Sequence, residues 1–179
     1  MNKKEKIKQV NSEPENKKSF NFDKENIRLE FRKELIRLRN SYYNGAEKAS
    51  TMAKEADGAM QSQHDTTKVE QSWLANALGK MAGGIGEIIE NWDKLIPSKE
   101  YDEVNMGALV YLKDLNYSDE EWFYLLPFGG GVSTEINHQK IEALSIESPL
   151  GKNLLGKKKG EIIEFKIKEK QKFEVLEVL

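Results

Sequence analysis

"ESPLGKNLLGKKKGEIIEF", residues 147–165, contains one very short helix, one turn and one strand, with the punctuation of each. Ser148 is a natural N-cap, because its hydroxyl can accept one of the free amides of a first helical turn. Pro149 suits the first helical position, where no amide is needed, and Gly156 can take the left-handed conformation that stops a helix. A lysine-rich turn follows (Lys157, Lys158, Lys159, Gly160), and then the strand-like run Glu161 to Phe165.

The same alternation extends outward. "EVNMGALVYLKDL" (103–115), "EWFYLLPF" (121–128), "KIEALSIES" (140–148), "GEIIEFKIK" (160–168) and "KFEVLEVL" (172–179) read as strands of period two. "NYSDEE" and "FGGGVSTEINHQ" read as loops, with Gly129 to Gly131 as a flexible strand connection, and "KEKQK" (168–172) as a hairpin turn. The C-terminal half is therefore a small, mainly antiparallel β-domain carrying one short helix. "IPSKEYD" (96–102) is the linker in front of it, where Pro97 ends a helix.

Upstream of the linker the period changes. Phe31, Leu35, Leu38, Tyr42, Gly45, Ala49, Met52, Ala56 and Ala59 recur at alternating spacings of four and three, as do Leu74, Leu78, Met81, Ile85, Ile88, Trp92 and Leu95. That is the seam of a coiled coil. The polar "DGAMQSQHDTT" (57–67) between the arms reads as the apex of an antiparallel hairpin. With the apex near residue 62, Tyr42 and Tyr43 should face Ala82 and Gly83, and Leu38 should face Gly86, so that glycine serves close packing rather than helix breaking. "GGIG" (83–86) follows no strand and precedes no Lys-Ser/Thr, which excludes a phosphate loop. The arm should lean on the β-domain at its base through Phe31, Trp92 and Leu95. The expected organisation is α+β: a disordered tail over 1–24, a coiled-coil hairpin over 25–96 and a β-domain over 97–179. The switch of period near residue 97 implies that residues 100–179 fold without the hairpin.

Composition narrows the chemistry. The chain has 179 residues, 32% charged, with a net charge of −2. No global positive charge points to non-specific nucleic-acid binding. There is no cysteine, which excludes disulfides, thiolate zinc sites and cysteine nucleophiles. No apolar run approaches the roughly 18 residues of a membrane helix, and the N-terminal stretch is polar, so no membrane association and a cytoplasmic location are expected. His64 and His138 lie on different halves with no partner motif. Phe123, Phe128, Phe165 and Phe173 read as core rather than as a pocket.

A hairpin, a linker and a β-domain with "SPLGKNLLGKKKGEIIEF…FEVLEVL" resemble the bacterial transcript-cleavage factors GreA and GreB, whose C-terminal domain is FKBP-like. Ser148, Pro149, Leu150, Gly151, Leu154, Leu155, Gly156, Lys157, Gly160 and Glu161 match the family's pattern. The match is specific over 141–179 and architectural over 25–140. The resemblance implies a monomeric regulator that binds RNA polymerase through the C-terminal domain, meets nucleic acid only through the polymerase complex, and inserts the hairpin into the secondary channel. It implies no enzyme activity of the factor's own and no tightly bound cofactor. In cleaving members an acidic Asp-Leu-Ser-Glu-Asn tip helps hold Mg2+ and a water, and the polymerase hydrolyses backtracked RNA.

This chain departs from that tip. Its nearest text is "HDTTKVEQ" (64–71), where Asp65 can stand for the Asp but Lys68 stands where the Glu would be. The tip candidates are Glu55, Asp57, Asp65 and Glu70, with Asp65 and Glu70 as the leading pair for a magnesium shared with the polymerase. Five residues apart on one helix they would diverge by about 140°, so they converge only if Asp65 lies in the turn with Thr66 or Thr67 as N-cap. The polymerase-binding candidates are Ser148, Pro149, Lys152, Lys157, Lys158 and Lys159. Two rival readings stand beside this one. A prolyl-isomerase-like folding helper would expose apolar residues at the hairpin tip, whereas this tip reads as polar. A coiled-coil interaction module would dimerise.

Overall fold

The computed structural model describes residues 22–56, 66–97, 99–128, 131–166 and 169–179. Two long antiparallel helices lead into a six-stranded sheet. The helices are α1 (Lys24–Glu55) and α2 (Thr67–Glu90), with one further turn, α3 (Trp92–Leu95). The strands are β1 (Leu109–Asp114), β2 (Glu120–Leu126), β3 (Ser133–Ile136), β4 (Gln139–Ser145), β5 (Ile162–Lys166) and β6 (Lys170–Val178), with α4 (Pro149–Leu154) between β4 and β5. Strand order is β3-β4-β2-β1-β6-β5, antiparallel throughout except for the parallel pair β2 and β4. The α+β architecture read from the sequence is the one observed. The tail over 1–24 and the apex text 57–65 lie largely or wholly outside the described residues.

The start of α1 has a physical cause. The Asp23 carboxylate accepts from the amides of Glu25 and Asn26 at 3.0 and 3.3 Å, which caps the helix. Phe22, just before the cap, packs edge-on against Trp122 of β2 at 4.8 Å between ring centroids. The chain enters its long helix already anchored to the sheet.

Strand alternation sorts side chains onto two faces, and both are covered. On one face Leu109, Trp122, Tyr124, Leu126 and Ile141 meet Ile27, Phe31, Leu35, Ile85, Ile89, Trp92 and Ile96 from the base of the hairpin. Phe31 stacks on Tyr124 at 4.9 Å. On the other face Val110, Leu112, Phe123, Leu125 and Val175 meet Leu154 of α4 and Ile163 of β5. This explains why residues 122–126 of β2 are buried without a break. The base is also pinned by polar contacts. Arg28, 9% exposed, donates from Nε to the Ile96 carbonyl at 2.7 Å, and its guanidinium grips Glu25 and Asp93.

Three expectations change. The residues 128–139, read as a loop, contain β3 and a tight turn to β4 at Asn137 and His138, both with positive φ (53° and 61°). That is the two-residue hairpin geometry usually announced by Asn-Gly. The seam also drifts. Met52, Leu74 and Met81 are about half exposed, and Ala53 and Ala82 are buried in their place, because a straight helix of 3.6 residues per turn rotates away from a 3.5-residue repeat. The glycine that permits close packing is Gly45, where a Cβ would come within 3.0 Å of Leu78; at Gly83 and Gly84 a Cβ would meet nothing within 4 Å.

The independence expected of residues 100–179 meets a shared core. One core runs across the helix-to-strand boundary, so the sheet of residues 100–179 needs the hairpin base to cover Trp122, Tyr124, Leu126 and Ile141. Expressed alone, residues 100–179 should keep strand structure by circular dichroism yet bind a hydrophobic dye that the full chain ignores. In the full chain, Phe31→Ala should cost about 3–5 kcal/mol in guanidinium denaturation. A fragment as stable as the full chain would refute the shared core.

Candidate functional site

The segment that follows β4 is built almost entirely of local constraints. The Ser148 hydroxyl donates to the Ser145 carbonyl at 2.7 Å and accepts from the Gly151 amide at 3.0 Å. Pro149 occupies the first helical position. Gly151 is buried so tightly that a Cβ there would sit 2.1 Å from the Ser145 carbonyl oxygen. Gly156 ends the segment with φ 76°, as its place in the sequence suggests. The Gly156 amide bonds to the Val104 carbonyl at 2.8 Å, and the Val104 amide to the Lys157 carbonyl at 2.7 Å, so the segment before β1 and the lysine turn hold each other. The Gly160 amide closes the turn on Val175 of β6 at 2.7 Å.

Ser148 and Pro149 are therefore the frame of this surface, and the lysines are what it shows to solvent. Lys152 pairs with Glu147 at 2.9 Å, Lys157 with Glu161 at 3.3 Å, and Lys159 with Glu177. Lys158 gives its amide, not its ammonium, to Glu161 at 2.6 Å. The Lys158 amide and then the Lys157 ammonium hold the Glu161 carboxyl below the usual carboxylate range. Three of the four cations are thus already matched by carboxylates of the same chain, which spacing alone did not reveal. Beside them stand two apolar side chains that sequence reasoning did not single out as surface, Leu155 at 42% and Ile162 at 54% exposed. The alternation of "EIIEF" puts one isoleucine inside and the other outside; the sheet decides which.

The other candidate surface is the far end of the hairpin. Glu55 closes α1 and Glu70 lies in the first turn of α2; both are exposed. Thr66 takes the N-cap position, but its hydroxyl donates to the Glu70 carboxylate at 2.6 Å rather than capping a backbone amide. Asp57 and Asp65 lie outside the described residues. Among the described residues no group of three or more histidine or acidic side chains could hold a metal ion. Glu55 and Glu70 by themselves do not fit a magnesium site, which wants several oxygens in octahedral array. The upper arm is also less polar than its sequence suggests, since Met52, Val69, Trp73 and Leu74 are 47–69% exposed. His138 stands fully exposed on the β3–β4 turn, 3.8 Å from Glu135. Among the described residues no helix is long and apolar enough to cross a membrane.

Residues 98–179 match the family described as transcription elongation factor GreA/GreB, C-terminal region. The transcription elongation factor GreA of Thermotoga petrophila is 28% identical over 150 residues, 83% of this chain and 90% of the relative. That of Chloroherpeton thalassium is 31% identical over 135 residues, 74% of this chain and 78% of the relative. The solved structure of GreA factor homolog 1 (Gfh1) of Thermus thermophilus, 16% identical, overlays 83% of this chain and 94% of its own with a TM-score of 0.33.

The frame of the C-terminal surface should respond to small changes. Gly151→Ala should cost about 2–3 kcal/mol, because backbone must move to admit the methyl group. Ser148→Ala should cost about 1 kcal/mol through the lost cap. Glu161 gives a pH signature. Its folded value is depressed, so its stabilisation is present above the unfolded carboxylate value and is lost as pH falls through the lower folded one. Glu161→Gln should remove that acid-side loss from the pH dependence of unfolding. An unchanged profile would show that its partners do not favour the charged form.

Proposed function

This chain belongs to the GreA/GreB family of transcription elongation factors, and on that premise we propose that it binds RNA polymerase and reaches into the secondary channel with its hairpin. It is a regulator of transcription elongation. The observation that carries the finer reading is the arm itself: α1 alone has 32 residues, about 48 Å of helix, set on the sheet by a shared core and by Arg28. A long projection fixed at one end places its far end at depth, and exposed carboxylates approach that end from both helices.

On this reading the C-terminal surface supplies most of the affinity, with Leu155 and Ile162 as apolar contacts and the lysine turn around them. The factor acts by what it presents to the polymerase and has no hydrolytic chemistry of its own. Two described carboxylates are too few to hold magnesium, so any shared Mg2+ would take most of its ligands from the polymerase, with Asp65 and Glu70 as the factor's contribution. A second reading has one observation in its favour: the exposed Trp73, with Val69 one turn away, would suit a coiled-coil partner or a folding client. It requires a dimer or client complex by size exclusion that Trp73→Gln dissolves.

Two measurements test the first reading. Replacing Lys157, Lys158 and Lys159 by Glu should weaken polymerase binding and reduce its salt dependence. Lys158→Glu alone should account for about three- to fivefold of that loss, since its ammonium is not matched by a carboxylate among the described residues. Unchanged affinity at low salt removes the turn from the interface. Asp65→Asn with Glu70→Gln should leave binding intact and abolish stimulated cleavage in backtracked complexes. Wild-type binding without any cleavage would make the hairpin a blocker of the channel.

A further inference from the structure

A groove of about 1330 Å³ runs along one flank of the hairpin, between α1 and α2. Its floor is made of short side chains, among them Ser50 and Ala53 from α1 and Ala75 from α2. Gly79 and Gly83 open into it, and a Cβ on either would meet nothing within 4 Å. Helices that meet through residues this small approach to about 8 Å, so the groove has the dimensions of a seat for a third helix.

Its walls are cationic although the whole chain is not. Arg39 and Lys80 stand toward the base and Lys54 toward the apex. Lys54 and Lys80 enter no ion pair among the described residues, and the Arg39 guanidinium donates to the side-chain oxygen of Asn40 at 3.1 Å rather than to a carboxylate. Elsewhere on α1, Lys33 is matched by Glu30 at 2.6 Å and Arg37 by Glu34, while Arg32 and Lys48 enter no ion pair among the described residues. Arg39 and Lys54 are separated by about 22 Å of helix. Between them the exposed Glu47 interrupts the positive lane.

We propose that this groove receives an acidic helix of a partner protein, about four turns long, with small side chains on the buried face and carboxylates toward both ends. The spacing of the cations selects a helix over a nucleic acid. A phosphate backbone carries charge at every nucleotide and would have to run it past Glu47, whereas a helix can set a neutral side chain there. The assignment holds whichever protein supplies the helix; under the functional reading above, the polymerase is the first source to test.

The probe is a synthetic, helix-stapled peptide of about sixteen residues, with Ala and Ser on one face and Glu in its first and last turns. Titrated into the isotope-labelled full chain at low salt, it should shift the amides of Ser50, Asn76 and Gly79. Replacing its Glu by Gln should weaken binding about tenfold, as loss of several exposed ion pairs would. Gly79→Leu with Gly83→Leu fills the groove where there is open space, so it should abolish binding with helix content unchanged. Lys54→Gln with Lys80→Gln should weaken binding without filling anything. No shifts, equal binding of the Gln peptide, or tighter binding of oligothymidylate at the same amides would each overturn the proposal. Peptide binding without any polymerase binding would leave the groove standing and remove only the polymerase reading.

Discussion

Arg28 and the apolar cluster around it decide what the rest of the molecule can do. The guanidinium reaches from the first turns of α1 to the Ile96 carbonyl where the helices end, and to Asp93 and Glu25 on either side. Beneath it Phe31, Ile89 and Trp92 press on Tyr124 and Trp122 of the sheet. A tilt of about 5° at this joint would move the far end of a 48 Å arm by about 4 Å. Any reading in which the hairpin delivers residues to a defined place depends on this joint more than on the coiled coil above it. The upper seam, with its alanines and Gly45, keeps two antiparallel helices together; it does not aim them.

The sheet serves two masters, and its strands record it. One face is given to the hairpin and the other to α4, so residues 122–126 of β2 are apolar at every position. The α4 segment is held from below by Leu154 and from its ends by Ser148, Val104 and Val175. This leaves the lysine turn with a fixed backbone and side chains open to solvent. A surface of that kind meets a partner with little loss of backbone entropy, and its specificity then rests on which ammonium groups are unmatched.

The parts of the fold legible in the sequence were those set by local rules. Ser148, Pro149 and Gly156 declared α4 because caps act over three or four residues. The change from a helical to a strand period separates the helices, which end at Leu95, from the strands, which begin at Leu109. What was not legible depended on distant partners or on accumulated geometry. The β3–β4 turn uses Asn137 and His138 in the left-handed region, a conformation with a weak sequence signal when glycine is absent. Met52, Leu74 and Met81 fit the repeat for several turns and then rotate out of the seam. At the candidate sites, spacing found the lysines but not the carboxylates of Glu147, Glu161 and Glu177 that match them, because Glu177 arrives from another strand. The cationic groove was invisible for the same reason, since Arg39 and Lys80 come to line one groove only once the hairpin closes.

Strand β6 lies between β1 and β5, so Lys113 waits for Glu174 and Val110 for Val178. During synthesis the hairpin and five strands emerge from the ribosome before the strand that joins β1 to β5. Until then β1 offers an open edge, and the face that receives Leu154 of α4 lacks Val175 and Val178. Such long-range closure slows folding and prolongs exposure of apolar surface. The nascent arm can form its helical contacts and meet residues 109–141 of the sheet early, but the lysine turn is tied to Val175 only when residues 170–178 insert. The backing of the lysine surface is thus the last part of the molecule to be made.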